Sequence, residues 1–79
     1  MDLLPVVLDT LKSIAPEVDA STLHPDRPLR GQVDLDSIDW LNFLTGLHVR
    51  LGVDIPERDY GRLVTLDDIV RYLAAARGQ

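Results

Sequence analysis

The sequence predicts an all-α fold, a small helical bundle, on three observations. Apolar residues recur at three- and four-residue spacings in separate stretches, nothing alternates as a strand would, and 79 residues leave room for one core. Residues 1–79 therefore read as a single domain. With 46% hydrophobic residues but only 5% aromatic, that core must be built from Leu, Val and Ile. The absence of cysteine excludes disulfide staples, thiolate metal sites and Cys nucleophiles.

The first element runs from Asp2 to about Ile14, where Leu3, Leu4, Val7, Leu8, Leu11 and Ile14 form one amphipathic face. Asp2 is placed to cap it, Pro5 falls in the first turn, and Ala15-Pro16 ends it. From Pro16 to Leu35 no period holds. Val18, Leu23, Leu29, Val33 and Leu35 are spaced like anchors of a long tethered loop. A second helix is expected from about Ser37 to Leu51, stopped by Gly52. At about 100° per residue, Trp40, Leu41, Leu44, Leu47 and Leu51 gather on its core side, with Phe43 on the flank. Pro56 to about Gly61 reads as a single short turn of helix. The last helix opens at Thr65-Leu66-Asp67-Asp68, a capping-box pattern, and buries Leu66, Ile69, Val70 and Leu73 before Gly78.

The net charge of −5 and pI near 4.6 argue against nucleic acid, whose phosphates require a basic patch. They favour partners with basic docking surfaces. The start, Met1-Asp2-Leu3-Leu4-Pro5, has no basic segment of a signal peptide, and no apolar run approaches the roughly 20 residues of a membrane span. A cytoplasmic chain with no membrane partner, working as a monomer, is expected.

The most informative stretch is Asp34-Leu35-Asp36-Ser37-Ile38-Asp39, which closes the loop and opens the central helix. A serine there meets unpaired backbone N–H groups and the positive end of the helix dipole, which tolerate a phosphate ester on its oxygen. On local chemistry alone a plainer reading stays open: Asp36 caps, Asp39 completes a capping box, and Ser37 is a good first-turn residue. Calcium is rejected. Counting from Asp34, the fifth and sixth loop positions hold Ile38 and Asp39 where an oxygen ligand and glycine belong, and the twelfth is Thr45 instead of Glu.

Leu35-Asp36-Ser37-Ile38-Asp39 resembles the attachment motif of acyl carrier proteins. Two further blocks are similar to that family in order and spacing: Leu51-Gly52-Val53-Asp54-Ile55-Pro56-Glu57, and Val64 to Leu73 with its opening Thr65 and closing Tyr72-Leu73. The resemblance covers about Val33 to Leu73. It implies a four-helix bundle with a long first loop and a short third helix. It also implies that Ser37 accepts 4′-phosphopantetheine from coenzyme A through a magnesium-dependent phosphopantetheinyl transferase, which would read Asp36, Ile38 and Asp39. Acyl ligases, synthases or acyltransferases would then be the partners. The arm's thiol would carry the cargo, so no catalytic residue is needed.

Two departures stand out. Asp34 occupies the position where the family usually has glycine. The outward face of the second helix, where Ile38, Asn42, Thr45 and Val49 lie within about 60° of one another, carries no acid beyond Asp39. The matching face of fatty-acid-synthesis carriers is rich in glutamate, and two readings follow: ordinary drift on a solvated face, or partners that dock here through apolar and polar contacts near Ile38 and Val49. Trp40 reads first as a packing aromatic beside the core face; with Leu44, Leu47 and Tyr60 it is also a candidate for the inner pocket that shelters acyl chains in the family. His24 and His48 lack ligand spacing and read as surface residues. Arg27, Arg30, Arg58 and Arg62 read as solvated or balancing acids, and Ser13 and Ser21 lack the context of Ser37. The expected function is a freestanding acyl carrier for a specialised lipid or secondary-metabolite pathway. A peptidyl or aminoacyl carrier, or an unmodified helical interaction domain, are the alternatives. No nucleophile, base and orienting group occur together, so an enzyme is not expected.

Overall fold

The apolar spacing of the first segment forms α1 (Leu4–Ile14) in the computed structural model, which describes residues 3–78. The cap expected from Asp2 lies outside the described residues. Leu3 takes the position before the helix and offers no side-chain cap, while Pro5 sits in the first turn, where its missing N–H removes no intrahelical bond. Leu3, Val7 and Leu11 are buried, and so is Thr10. The Thr10 hydroxyl donates to the Val6 carbonyl at 2.7 Å, which satisfies it and leaves the methyl free to pack. That methyl meets Gly46 of α2 (Ser37–Leu51), where an added Cβ would lie 2.8 Å from Thr10 Cγ2. Glycine is required there by the close approach of the two helices.

This crossing rotates the buried face of α2. Trp40, Phe43, Leu44 and Leu47 are buried, but Leu41, expected in the core, is 46% exposed. Phe43, expected on the flank, is fully buried. Gly46 lies about 60° beyond Phe43 on the helical wheel, away from Leu41, so α1 covers the Phe43 side and leaves Leu41 outside. The helix stops at Gly52, whose φ of 65° takes the left-handed conformation and whose N–H donates to the His48 carbonyl at 2.8 Å.

The loop between α1 and α2 lacks a period but not structure. It contains short 3₁₀ turns at Ala20–Thr22 and Leu29–Gly31. Leu29, Val33 and Leu35 are buried and Val18 and Leu23 half-buried, as their spacing predicts. The Gln32 side chain laces it: its amide nitrogen donates to the carbonyls of His24 (2.9 Å) and Arg27 (3.1 Å), and its oxygen accepts the His24 N–H at 2.6 Å. Two backbone bonds then strap the loop to the last helix. Leu29 N–H reaches Val64 O at 2.9 Å, and Asp67 N–H reaches Pro25 O at 3.1 Å.

The third helix is a short 3₁₀ segment, Glu57–Arg62, launched by Pro56. The last, α3 (Leu66–Ala76), begins with the full capping box of Thr65 and Asp68 and buries Leu66, Ile69 and Leu73, with Val70 half-buried. The bond from the Thr65 N–H holds the Asp68 carboxyl below its ordinary value. α1 packs against both α2 and α3. The architecture is the small helical bundle, with a long first loop and a short third helix, that the resemblance implies. No helix among the described residues is long and apolar enough to cross a membrane.

Candidate functional site

Asp36 approaches α2 in an extended conformation, and its Oδ1 accepts the Asp39 N–H at 2.7 Å. The box expected at this start is only half made, because no return bond joins the Asp39 carboxylate to the Asp36 N–H. Ser37 is the first residue of the helix and is exposed. Its hydroxyl has no partner among the described residues, and neither do the backbone N–H groups of Ser37 and Ile38. Ser13 and Ser21 differ sharply. The first donates to the Thr10 carbonyl and the second to the Asp19 carboxylate, each at 2.6 Å. Of the three serines, Ser37 alone offers an uncommitted oxygen next to uncommitted donors. A phosphodiester on that oxygen would meet the two N–H groups and the helix dipole, so these residues fit such a group. Asp34 does not strain the approach: no non-glycine described residue has positive φ, so the turn is built without the freedom glycine would bring.

The outward face of α2 is as apolar as its sequence implies. Ile38 is 69% and Val49 72% exposed, Asn42 and Thr45 are exposed with them, and Leu41 adds to the ridge. Arg50 contributes no free cation to it, since Nη1 pairs with Asp9 Oδ2 of α1 at 2.7 Å. His48 Nδ1 lies 2.7 Å from the Val53 carbonyl. A carbonyl only accepts, so Nδ1 carries the proton, and the ring ties down the end of α2.

The four pocket candidates do not converge on one cavity. Trp40 and Tyr60 line a recess of about 200 Å³ together with Pro28, Arg30, Leu63 and Val64. Leu44 and Tyr60 line a separate groove of about 650 Å³, shared with His48, Asp54 and Tyr72. Leu47 lines neither and is fully buried. Tyr60 stands at both openings.

Sequence reasoning missed the work done by the arginines and Tyr72. Among the described residues, Arg30 and Arg62 balance no acid through an ion pair. Arg30 lies over the Trp40 ring, 5.7 Å from its centroid, and its Nη2 donates to the Leu35 carbonyl at 3.3 Å. Arg62 lies over Tyr72 at 5.8 Å. The Tyr72 hydroxyl donates to Asp59 Oδ2 at 2.6 Å, a bond that with partial burial raises its pKa. No linear pattern signals such pairs, because their members come from different elements. Among the described residues, no group of three or more potential metal ligands gathers.

The sequence profile described as the phosphopantetheine attachment site matches residues 5–73. An acyl carrier protein of Helicobacter pylori is 29% identical over 56 residues, covering 71% of this chain and 72% of that protein. One from Lactobacillus acidophilus is 29% identical over 62 residues, covering 78% of each. A solution structure from Anaplasma phagocytophilum, described as an acyl carrier protein, superposes with a TM-score of 0.82 at 25% identity, covering 92% of this chain and 85% of that one.

Proposed function

The chain belongs to the acyl carrier protein family, whose phosphopantetheine attachment domain it contains, and on that premise we propose that Ser37 is the attachment residue. Proteins of this family are carriers, not enzymes, and their prosthetic group is a covalently attached 4′-phosphopantetheine. Once attached, the group supplies the thiol on which acyl cargo rides as a thioester. The observation that carries the assignment is the free Ser37 hydroxyl on an open helix start, in contrast to the committed hydroxyls of Ser13 and Ser21. The roles of the neighbouring residues follow. Asp36 holds the helix start through Asp39 N–H and, with Asp39 and the exposed Ile38, forms the pattern a transferase reads. The N–H groups of Ser37 and Ile38 receive the phosphodiester.

The same proposal extends to the pathway. A phosphopantetheinyl transferase and acyl-handling enzymes are the partners the family implies. Docking enzymes meet a ridge of Ile38, Leu41, Asn42, Thr45 and Val49 with no carboxylate beyond Asp39, and Arg50 is already neutralised by Asp9. That surface favours partners with apolar docking faces over partners that need an acidic helix, which supports service in a specialised lipid or secondary-metabolite pathway.

Intact mass after incubation with coenzyme A, magnesium and a broad-specificity transferase tests the attachment. Wild type is expected to gain one phosphopantetheine and Ser37→Ala none. A folded wild type that gains nothing with several transferases would return Ser37 to the role of a helix-start residue and favour the interaction-domain reading.

A further inference from the structure

The Pro28-to-Gly31 turn is held in place by two independent contacts. Leu29 is fully buried, and its N–H is bonded to the Val64 carbonyl. Arg30 therefore projects from a fixed point, and its guanidinium comes to rest on Trp40 with one donor on Leu35 O. Trp40 follows Ser37 by three residues, which puts the two about 60° apart on α2 and one turn from each other. A cation with further N–H donors is thus brought to the flank of α2 that carries Ser37. No described carboxylate pairs with it, although Asp34 and Asp36 flank Leu35 in the chain.

Arg30 and Trp40 also wall the recess of about 200 Å³. Its remaining walls are chiefly apolar, from Pro28, Leu63 and Val64, and Tyr60 brings a hydroxyl with no partner among the described residues. We propose that this recess receives the acyl end of the loaded arm and selects a short acyl group ending in a carboxylate. Arg30 is its anion-binding residue and Tyr60 a second donor. The apolar walls suit a few methylenes, and the guanidinium fork suits a carboxylate in two-point contact. A long saturated chain would desolvate the guanidinium with no anion in return. The proposal rests on attachment at Ser37. The arm's own phosphodiester is the other anion within the chemistry of Arg30, and the test separates the two.

Ser37 is loaded from succinyl-, butyryl- or free coenzyme A, with intact mass recorded in every arm. Failure to gain mass would count against Ser37 as the attachment residue and is thereby distinct from failure of the recess. Trp40 is the chain's single tryptophan, so emission reports the recess directly. Hydroxylamine cleavage of the thioester reports its shelter. The succinyl form is expected to shift Trp40 emission and to resist hydroxylamine several-fold better than the butyryl form. Arg30→Gln is expected to bring that ratio to one, and Arg30→Lys to retain part of it. Should Arg30→Gln fail to fold, Tyr60→Phe removes only a hydroxyl and is expected to lower the ratio by about half. Equal behaviour of the two thioesters in wild type would overturn the proposal. So would an Arg30-dependent shift already complete in the unacylated arm, which would assign the anion to the phosphodiester.

Discussion

α2 and α3 begin alike in sequence, each with a polar cap residue and an aspartate three positions on, yet the two starts are finished differently. At α3 the Thr65 hydroxyl accepts the Asp68 N–H at 2.9 Å, Asp68 accepts the Thr65 N–H at 3.1 Å, and Asp67 N–H is taken by the Pro25 carbonyl. At α2 only the Asp39 N–H is satisfied, and a serine hydroxyl stands exposed beside two open donors. The start of α3 is closed by its own residues and strapped by the loop, with the Leu66 N–H alone of its first donors left open among the described residues. Under the attachment proposed for Ser37, the open donors at the start of α2 are those an anionic group would meet, and such exposed N–H groups are otherwise satisfied by water.

The largest expected effect bears directly on that difference. Ser37→Ala should abolish phosphopantetheine transfer as read by intact mass, whereas Thr65→Ala should be modified as fast as wild type. Next comes the strap. Leu29→Ala removes a fully buried side chain at the point where the loop reaches α3, and urea melts should show a loss of about 2–5 kcal/mol. Cap removal is smaller and separates the two starts by function. Asp36→Ala and Thr65→Ala should each lower stability by about 1 kcal/mol, but only Asp36→Ala should also slow the transferase.

Titration offers a finer distinction. The Asp68 carboxyl is held below its ordinary value of 3.8, first by the hydrogen bond from the Thr65 N–H. A folded-state value below the unfolded one means stability fully present above the unfolded value and lost as pH falls through the folded one. Asp68→Asn should flatten the acid limb of the stability profile. Tyr72 works in the opposite sense. Its value is raised above 10.0 chiefly by its bond to Asp59, so that contribution is present below the ordinary value and lost as pH climbs through the folded one. Tyr72→Phe should flatten the alkaline limb. The smallest effect concerns the ridge of α2: affinity for cognate enzymes should change little with added salt, and a steep loss would show that charge steers docking after all.

The helix boundaries were legible because they are local. Pro5, Gly52, Pro56 and the Thr65-to-Asp68 box act on their own backbone, and the structure keeps each of them where expected. Ser37 stood out for the same reason, since the helix start and its flanking aspartates lie in one short segment. The misplacements share another cause. Leu41 and Phe43 exchanged roles because the buried arc of α2 depends on where α1 crosses, and that is decided by the Thr10 methyl against Gly46, two residues no period singles out. Arg30 resembled a solvated loop cation because its partners, Trp40 and the Leu35 carbonyl, lie downstream on the central helix and its approach.

Periodicity, capping and turn chemistry act within a few residues of the chain, so the linear order of side chains was enough to establish the helices, their ends and the serine at the head of α2. Which face of α2 is covered, how the long loop is laced by Gln32 and strapped to α3, and which cation comes to rest on Trp40 depend on contacts between distant segments. Those contacts exist only once the apolar faces have packed, and packing answers to the shape and volume of all the side chains at once.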